Sequence, residues 1–343
     1  MPPERRTTGP GRVNLIGDHT DYNQGLALPM AIDLGVTLSF APSEQPDIHV
    51  SSAAFGDVVL PLDITPDDGY LTAIEPAWAR LVGAMIALSR PDRGGTLRIE
   101  STLPIGSGLS SSAALCVALA EVFGVEGSPA VVARLCQQAE HRSGVPVGLM
   151  DPLVCAGGRR GHGLLIDFST LAVEPVPLPP DMEVVVIDSG RPRALRDSEY
   201  AARVAECNAA AAIVGPLGLA AGTDLAGLRD PLLRRRARHV VTECLRVGQF
   251  ALALADHDLV EAGVLMDESH RSLAEEFAVS TPELDALVAR VASLPGVFGA
   301  RMTGAGFGGC VVALTRPGAI DTVGWETPAW RVEASDGTVA SRP

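Results

Sequence analysis

The chain contains no lysine. Its 343 residues include 27 Lys and Arg together, and every one of them is Arg. A Walker A phosphate loop needs the Lys of its GxxxxGK[ST] pattern, and a protein kinase needs a strand Lys, so both classes are excluded. Schiff-base chemistry on a lysine is excluded for the same reason. Any phosphate site in this chain must therefore use backbone amides, hydroxyl groups, arginine or a metal ion.

Basic residues are also fewer than acidic ones, 27 against 41. The formal net charge is −14, whereas binding to nucleic acid requires a basic face, so we expect no nucleic-acid partner. The one dense basic run lies at residues 234–238 and has no interleaved aromatic residues. We interpret this run as the solvated face of a helix.

The cysteine patterns of zinc sites and the long apolar runs of membrane proteins are missing too. The six cysteines are scattered without a CxxC pair, which fits a reducing compartment and no structural zinc. No apolar stretch is long enough to span a bilayer, and the N-terminal residues have no apolar signal core. We therefore expect a cytoplasmic protein that does not bind membranes, and we expect it to be a monomer.

What the chain does have is an apolar content of 47% and enough length for two domains of ordinary size. Short β-rich segments precede long helical ones, which predicts an α+β fold with a boundary near residues 160–180. The patterns predict strands at 35–41, 47–51, 57–61, 96–100, 162–167, 172–176, 183–188, 310–315 and 329–334. They predict helices at 76–89, 129–142, 195–214, 231–246, 250–277 and 282–293, and a helix that ends at residue 122.

The most informative segment is residues 11–25, which read GRVNLIGDHTDYNQG. A short apolar run inside it is followed by Asp, His, Thr, Asp, Tyr and Asn. A buried strand rarely ends in so many hydrogen-bonding groups unless they converge on a polar ligand. Carboxylates accept hydrogen bonds from hydroxyl groups, so a small polyhydroxylated ligand would use these residues. The alternative is a solvated loop with an Asx turn at Asp21.

A second segment, residues 103–115, reads LPIGSGLSSSAAL and opens a predicted helix. Glycine lets backbone amides approach a ligand closely, and a helix N-terminus favours an anion such as phosphate. A serine N-cap after a glycine-rich turn is the alternative. One cap needs only one serine, however, and three occur in a row here, which favours phosphate binding.

These segments carry a family resemblance. Residues 11–25 resemble the signature of the galactokinases, and residues 103–115 resemble the ATP loop of the GHMP kinases. Residues 301–310, which read RMTGAGFGGC, resemble a third GHMP-type motif. The resemblance implies a two-domain α+β fold with the active site between the domains. A ribosomal-protein-S5-like domain would cover residues 1–170 and a ferredoxin-like α/β domain residues 171–343.

The resemblance also implies an activity, the ATP- and Mg²⁺-dependent phosphorylation of the anomeric hydroxyl of galactose. Asp151 would accept the proton of that hydroxyl, and Arg12 would stabilise the charge of the transferring phosphoryl group. Ser112 and Glu140 would be the magnesium ligands. The sugar contacts would be Asp18, His19, Thr20, Asp21 and Tyr200. The nucleotide contacts would be Gly106, Ser107, Gly108, Leu109, Ser110, Ser111 and Ser112.

Several alternatives stay open at this point. Asp151 precedes Pro152, where galactokinases usually carry Gln, and a carboxylate before Pro is also a normal helix N-cap. Trp78 could lie near the adenine, although a core position in an amphipathic helix explains it as well. Asp18 stands where galactokinases usually carry Glu, so a GHMP kinase for L-arabinose or N-acetylgalactosamine is an alternative. A sensor that binds ATP and galactose without turnover is the rival from another class.

Overall fold

A seven-stranded sheet forms the first part of the fold in the computed structural model, which describes residues 3–65, 68–104, 106–145, 147–190 and 196–339. Its strands are β1 (Arg5–Ile16), β2 (Leu26–Ser43), β3 (Asp47–Ser52), β4 (Gly56–Pro61), β5 (Gly94–Ser101), β6 (His162–Asp167) and β7 (Ala172–Pro177). They follow the order β4-β3-β5-β2-β6-β7, and β1 pairs with β2. The β3–β5 pair is parallel, whereas the other pairs are antiparallel.

A four-stranded antiparallel sheet forms the second part. Its strands are β8 (Glu183–Asp188), β9 (Val297–Thr303), β10 (Cys310–Thr315) and β11 (Ala329–Val332). They follow the order β11-β8-β10-β9. After β11 the chain returns to the first sheet, where the amide of Ser335 donates to the carbonyl of Ala31 over 3.0 Å.

Helices pack against both sheets. They are α1 (Asp68–Thr72), α2 (Ala79–Ser89), α3 (Ser111–Val122), α4 (Pro129–Arg142), α5 (Met150–Gly157), α6 (Arg196–Val214), α7 (Pro231–Ala255), α8 (Leu259–Ser272) and α9 (Pro282–Ala292). The start of α7 shows why the sequence forms helices here. Asp230 is its N-cap and accepts a hydrogen bond from the amide of Leu232, and Pro231 occupies the first helical position.

The predicted α+β class is confirmed, and most predicted elements lie where expected. The predicted break between helices at 246 and 250 is wrong, because α7 continues to Ala255. The predicted helix at 250–277 is also wrong as a single helix, because it is divided between the end of α7 and α8, which begins at Leu259. A Cβ on Gly248 would meet no atom within 4 Å, and one outward-facing Gly costs only about 1 kcal/mol in a helix. Residue 195, the predicted start of α6, lies outside the described residues.

The division at residues 170 and 171 falls in the turn between β6 and β7, which pair with each other. The sheets change only between Pro177 and Glu183. The two domains stay a prediction, and the sheets favour a boundary within residues 178–182.

The basic run at residues 234–238 is not simply a solvated face. Arg236 is only 4% exposed; its Nε donates to Glu206 (2.7 Å) and its Nη1 to the carbonyl of Glu276 (2.6 Å). The interpretation is therefore wrong at Arg236, whose charge is balanced inside the fold. All six cysteines are buried free thiols, as expected from their apolar surroundings. Within the ranges that the structure describes, no helix is both long and apolar enough to cross a bilayer.

Candidate active site

Strand β1 carries Arg12 to the centre of the candidate site. The register of β1 with β2 shifts between Pro10 and Arg12. There the amide of Arg12 donates to the carbonyl of Leu109, over 3.1 Å, in the loop before α3. A Cβ on Gly11 would lie 2.7 Å from the same carbonyl. The strand irregularity and the missing side chain therefore let β1 touch the loop.

Arg12 and Asp151 form a two-pronged ion pair. The Nε and Nη2 atoms of Arg12 donate to the two carboxylate oxygens of Asp151 over 2.8 and 2.7 Å. The third nitrogen, Nη1, donates to the carbonyl of Gly108 over 2.7 Å. Burial lowers the pKa of Arg12, but the charge of Asp151, its hydrogen bond and the weaker effects of other nearby groups together outweigh burial and leave that pKa above its ordinary value. Arg12 is therefore a permanently charged, fixed donor beside the loop.

Asp151 lies in the first turn of α5, whose N-cap is Leu149. Its carboxylate accepts from Arg12 and, over 2.5 Å, from the hydroxyl of Ser110 in the loop before α3. The N-cap interpretation of Asp151 is therefore wrong. The side chain of Asp151 is 27% exposed, against 8% for Arg12, so a ligand can reach this carboxylate.

The turn after β1 holds two predicted sugar contacts in buried positions. Asp18 is 2% exposed and accepts from the amide of Gly304 (3.0 Å) and from Nη2 of Arg301 (2.6 Å). Burial raises the pKa of Asp18, and Arg301 counteracts this. The Nδ1 atom of His19 lies 3.0 Å from the hydroxyl of Tyr22. Burial lowers the pKa of His19 to about 3, so the ring is neutral.

Thr20 and Asp21 differ in what they present to the site. The hydroxyl of Thr20 contacts the carbonyls of Gly17 (2.8 Å) and Leu26 (2.7 Å). Thr20 therefore stabilises the backbone of the turn. Asp21 faces the site, where burial and the charge of Asp151 raise its pKa to about 6. A Cβ on Gly148 would lie 1.8 Å from the Asp21 carboxylate. Gly148 therefore makes the room that Asp21 occupies.

One pocket of about 80 Å³ brings most of the predicted site residues together. Of the predicted catalytic and sugar-binding residues, all but Thr20 line it: Arg12, Asp18, His19, Asp21, Asp151 and Tyr200. Tyr22 lines it as well, with its ring centroid 5.7 Å from that of Tyr200. Neither Tyr22, which lies inside the motif at residues 11–25, nor Gly148 was predicted to have a role in the site. A small pocket lined by both aromatic rings and carboxylates suits a ligand that carries hydroxyl groups and some apolar surface, because the carboxylates accept from the hydroxyl groups and the rings contact the apolar surface.

The glycine- and serine-rich loop leads into α3. Ser110 is the N-cap residue and has a left-handed backbone, but its side chain makes no capping hydrogen bond. Its hydroxyl is directed at Asp151 instead, so the alternative of a simple serine cap is wrong. Ser107 donates to the carbonyl of Pro104 (2.9 Å) and Leu109 is buried. From these two residues a ligand would contact the backbone, and from the exposed Ser111 and Ser112 also the hydroxyl groups.

Two further cavities adjoin the start of α3. One has about 650 Å³ and an apolar lining that includes Phe55, Trp78 and Leu81. The other has about 360 Å³, and Ser112 and Glu140 both line it. Trp78 lines both cavities and also packs on the core. Its contact with the core is confirmed, and its proximity to the adenine stays a prediction.

Ser112 and Glu140 fit a magnesium ion in their chemistry. A hydroxyl and a carboxylate on one cavity wall are the kind of oxygen donors that Mg²⁺ takes from a protein, and water and phosphate complete its shell. In the part of the chain that the structure describes, no group of three or more His, Cys, Asp or Glu is placed to hold a metal ion. A two-ligand site is the arrangement that these residues offer.

The sequence did not predict the charged residues that contact the turn after β1. Arg301 is fully buried and contacts Asp18, and Glu243 is fully buried and accepts from the amide of Gly17 over 3.0 Å. Glu243 lies on the buried face of α7, where most residues are apolar. A charge on a mostly apolar helix face is a signal that could have indicated it.

Family models match three parts of the chain. The galactokinase galactose-binding signature matches residues 2–42. The GHMP kinases N terminal domain matches residues 79–159, and the GHMP kinases C terminal model matches residues 250–324. These matches contain the turn after β1, the loop before α3 and the glycine-rich segment after β9.

Similar proteins support the same family over nearly the whole chain. Galactokinase of Mycobacterium tuberculosis (strain ATCC 25618 / H37Rv) is 43% identical over 319 residues, 89% of this chain and 87% of that protein. Human galactokinase is 40% identical over 333 residues, 92% of this chain and 85% of that protein.

Solved structures support the same family. Lactococcus lactis galactokinase, complexed with galactose, superposes with a TM-score of 0.89 at 30% identity, covering 98% of this chain and 95% of that chain. Methanococcus jannaschii mevalonate kinase shares the fold, with a TM-score of 0.69 at 19% identity over 97% of this chain and 99% of that chain. The chain belongs to the galactokinase family of the GHMP kinases.

Proposed function

We propose that this chain transfers the γ-phosphoryl group of ATP to the anomeric hydroxyl of galactose, giving galactose 1-phosphate and ADP. The observation that carries the proposal is the Arg12–Asp151 ion pair, which lines a carboxylate-rich pocket and also contacts the loop before α3. One fixed cation and one reachable carboxylate thus stand where a sugar pocket meets an anion-binding loop. The curated relatives are named galactokinase, and the Lactococcus lactis structure is described as complexed with galactose.

Asp151 is our proposed acceptor of the hydroxyl proton. It accepts three hydrogen bonds, two from Arg12 and one from Ser110, out of the roughly four that a carboxylate accepts. The remaining position is open to a sugar hydroxyl. Phosphoryl transfer through a loose transition state needs the proton of the hydroxyl to leave only late. A well-oriented carboxylate is therefore sufficient.

Arg12 is our proposed stabiliser of the transferring phosphoryl group. Three of its hydrogen bonds go to Asp151 and Gly108, and a guanidinium has five N–H donors. Two donors are therefore left for phosphate oxygens. Because the side chain is already fixed by its partners, it need not reorganise when charge develops on the phosphoryl oxygens.

For the sugar itself we propose Asp18, His19, Asp21 and Tyr200 as direct contacts. Ionised carboxylates would accept from sugar hydroxyls, and the neutral His19 can accept or donate. Asp18 already holds two hydrogen bonds, so it has acceptor positions left. We retain Thr20 in the sugar-binding motif as the residue that fixes the turn, because its hydroxyl contacts backbone carbonyls.

For ATP we propose that the phosphates lie along the loop from Gly106 to Ser112 and that the base enters the apolar cavity beside Trp78. The uncapped start of α3 offers amides and a positive dipole end to an anion. Ser112 and Glu140 would hold Mg²⁺, which when bound would neutralise phosphate charge. We further propose that the protein is a monomer located in the cytoplasm.

A coupled assay of ADP release with a panel of monosaccharides tests the proposal. We expect the highest kcat/KM with galactose, and lower values with L-arabinose, N-acetylgalactosamine and D-fucose. A higher value with one of the other sugars would assign the chain to that sugar. Binding of galactose and ATP by calorimetry without any ADP release would instead support the sensor alternative.

A further inference from the structure

We propose that Arg301 and Glu243 are positioning residues for the sugar: from the C-terminal half of the chain they hold the turn at residues 17–21 in its binding geometry. Neither residue is among those that line the pocket in the described part of the chain. Galactose affinity would thus depend on side chains that never touch galactose. The inference rests on the proposed function.

Arg301 fixes the first carboxylate of the turn. It lies on β9, is fully buried, and donates to the carbonyl of Leu15 (3.1 Å) and to Asp18 (2.6 Å). The other oxygen of Asp18 accepts from the amide of Gly304, just after β9. Both oxygens of Asp18 are therefore oriented by the segment that follows α9, almost 300 residues away in sequence.

Glu243 fixes the backbone of the same turn. Its Oε1 accepts from the amide of Gly17 (3.0 Å) and from the hydroxyl of Ser269 on α8 (2.5 Å). Its Oε2 accepts from Nε of Arg246 (2.9 Å). The ring of His239, one turn earlier on α7, adds a contact of 3.2 Å to the carbonyl of Asp18.

The four charges form one balanced cluster. Asp18 and Glu243 supply two negative charges, and Arg301 and Arg246 supply two positive ones; Nη2 of Arg301 lies between the carboxylates, 2.6 Å from Asp18 and 3.9 Å from Glu243. Removing one charge from a buried cluster leaves its partner uncompensated. The group most free to respond is the turn, because α7 and β9 are regular elements packed in the core.

A displaced turn would affect sugar more than nucleotide. The turn contributes Asp18, His19 and Asp21 to the sugar pocket but no residue to the apolar cavity beside Trp78. A prearranged binding site gains affinity because its groups need no ordering when the ligand arrives. Loss of that order therefore raises the Kd and KM for galactose and spares those for ATP.

The test is Glu243→Gln, which keeps the size of the side chain and removes its charge. We expect the Kd for galactose by calorimetry, and the KM for galactose, to rise about tenfold, as for loss of one charge-assisted hydrogen bond. The KM for ATP should stay within about twofold, because the nucleotide cavity is not involved. The matched control is Glu183→Gln, which removes a 13%-exposed carboxylate paired with Arg331 in the second sheet; it should leave both values unchanged.

An unchanged galactose Kd in folded Glu243→Gln would overturn the inference, as would equal losses for galactose and ATP. If Glu243→Gln does not fold, Ser269→Ala decides, since it removes only the hydroxyl that orients Glu243. It should raise the galactose Kd by a few-fold, and a parental Kd overturns the inference. The parent protein reports separately on the proposed function: absence of galactose binding there counts against that function, whereas the ratio of variant to parent tests the positioning role.

Discussion

The proposed sugar side and the proposed nucleotide side of the site differ in the chemistry of their lining residues. The sugar pocket is small, about 80 Å³, and Arg12, Asp18, Asp21 and Asp151 all line it. The cavity beside Trp78 is about 650 Å³ and mostly apolar. Charged groups that are buried and already paired recognise a ligand through a few oriented hydrogen bonds. An apolar cavity recognises its ligand through contact area, which changes gradually when one side chain is altered.

This difference indicates how strongly a substitution on each side should affect binding. On the sugar side, the removal of one charge disturbs the partners that it was balancing, so an isosteric substitution has a large effect. On the nucleotide side, we propose that much of the binding comes from backbone amides at the start of α3, which substitution of side chains leaves in place. The predictions below use this contrast, from the largest expected effect to the smallest.

Asp151→Asn should lower kcat by about 100- to 10,000-fold, the range for loss of a general base. The Kd for ATP should stay near its parental value and the Kd for galactose should change less than kcat, because the amide keeps the shape of the carboxylate but not the charge that balances Arg12. Single-turnover and binding measurements on purified protein check this. Asp167→Asn is the control, since Asp167 only organises the exposed turn after β6. A near-parental kcat in Asp151→Asn would remove Asp151 from the mechanism.

Glu140→Gln and Ser112→Ala should each reduce activity by about 10- to 100-fold and shift the Mg²⁺ titration to higher concentration, as for altered metal coordination. Both side chains line the same cavity next to the start of α3. Glu268→Gln, on the exposed face of α8, is the control. Parental rates and parental Mg²⁺ titrations in both variants would show that the metal is held elsewhere.

Galactose binding should weaken as the pH falls through about 6, because the pKa of Asp21 is raised to about 6. The sign follows from the charge: above this pKa the carboxylate is ionised and accepts from sugar hydroxyls, and below it the group is protonated. At pH 5 about one tenth of Asp21 would be ionised, so the Kd should be about tenfold higher than at pH 7. His19 stays neutral throughout this range, since its pKa is about 3.

Calorimetry without ATP measures this pH dependence free from the titration of the nucleotide. Asp21→Asn supplies the comparison, because it cannot ionise and should bind galactose weakly at every pH. If the parent protein binds galactose equally at pH 5 and pH 7, Asp21 does not bind the sugar through its charge.

Local sequence signals predicted much of the fold and part of the site. Helix α4 begins and ends as predicted because Pro129 follows a Ser that can start a helix, and its apolar spacing is regular. The predicted end of α7 at residue 246 is wrong, because the helix continues past Gly248 to Ala255. The next helix, α8, starts after Asp258. The carboxylate of Asp258 accepts from the amide of Glu261 and caps this helix.

Within the site, the sequence predicted the residues that lie in motifs but not the contacts between motifs. Arg12 and Asp151 are 139 residues apart, and nothing local to either one indicates their ion pair. Arg301 stood inside a quoted motif without a role, because its partner Asp18 lies on the turn after β1. Long-range pairing of buried charges depends on the assembled fold, and a single sequence carries little trace of it.

The contrast between the two sides can be measured most directly by a crossed pair of substitutions, Asp21→Asn and Trp78→Ala, with KM determined for both substrates in both proteins. Asp21→Asn should raise the KM for galactose about tenfold or more, as for a lost charged hydrogen bond, and leave the KM for ATP within about twofold. Trp78→Ala should raise the KM for ATP by about 2- to 12-fold, the range for one aromatic contact, and leave the KM for galactose unchanged. If either substitution raises both KM values to the same extent, the two sides are not separate and the account is contradicted.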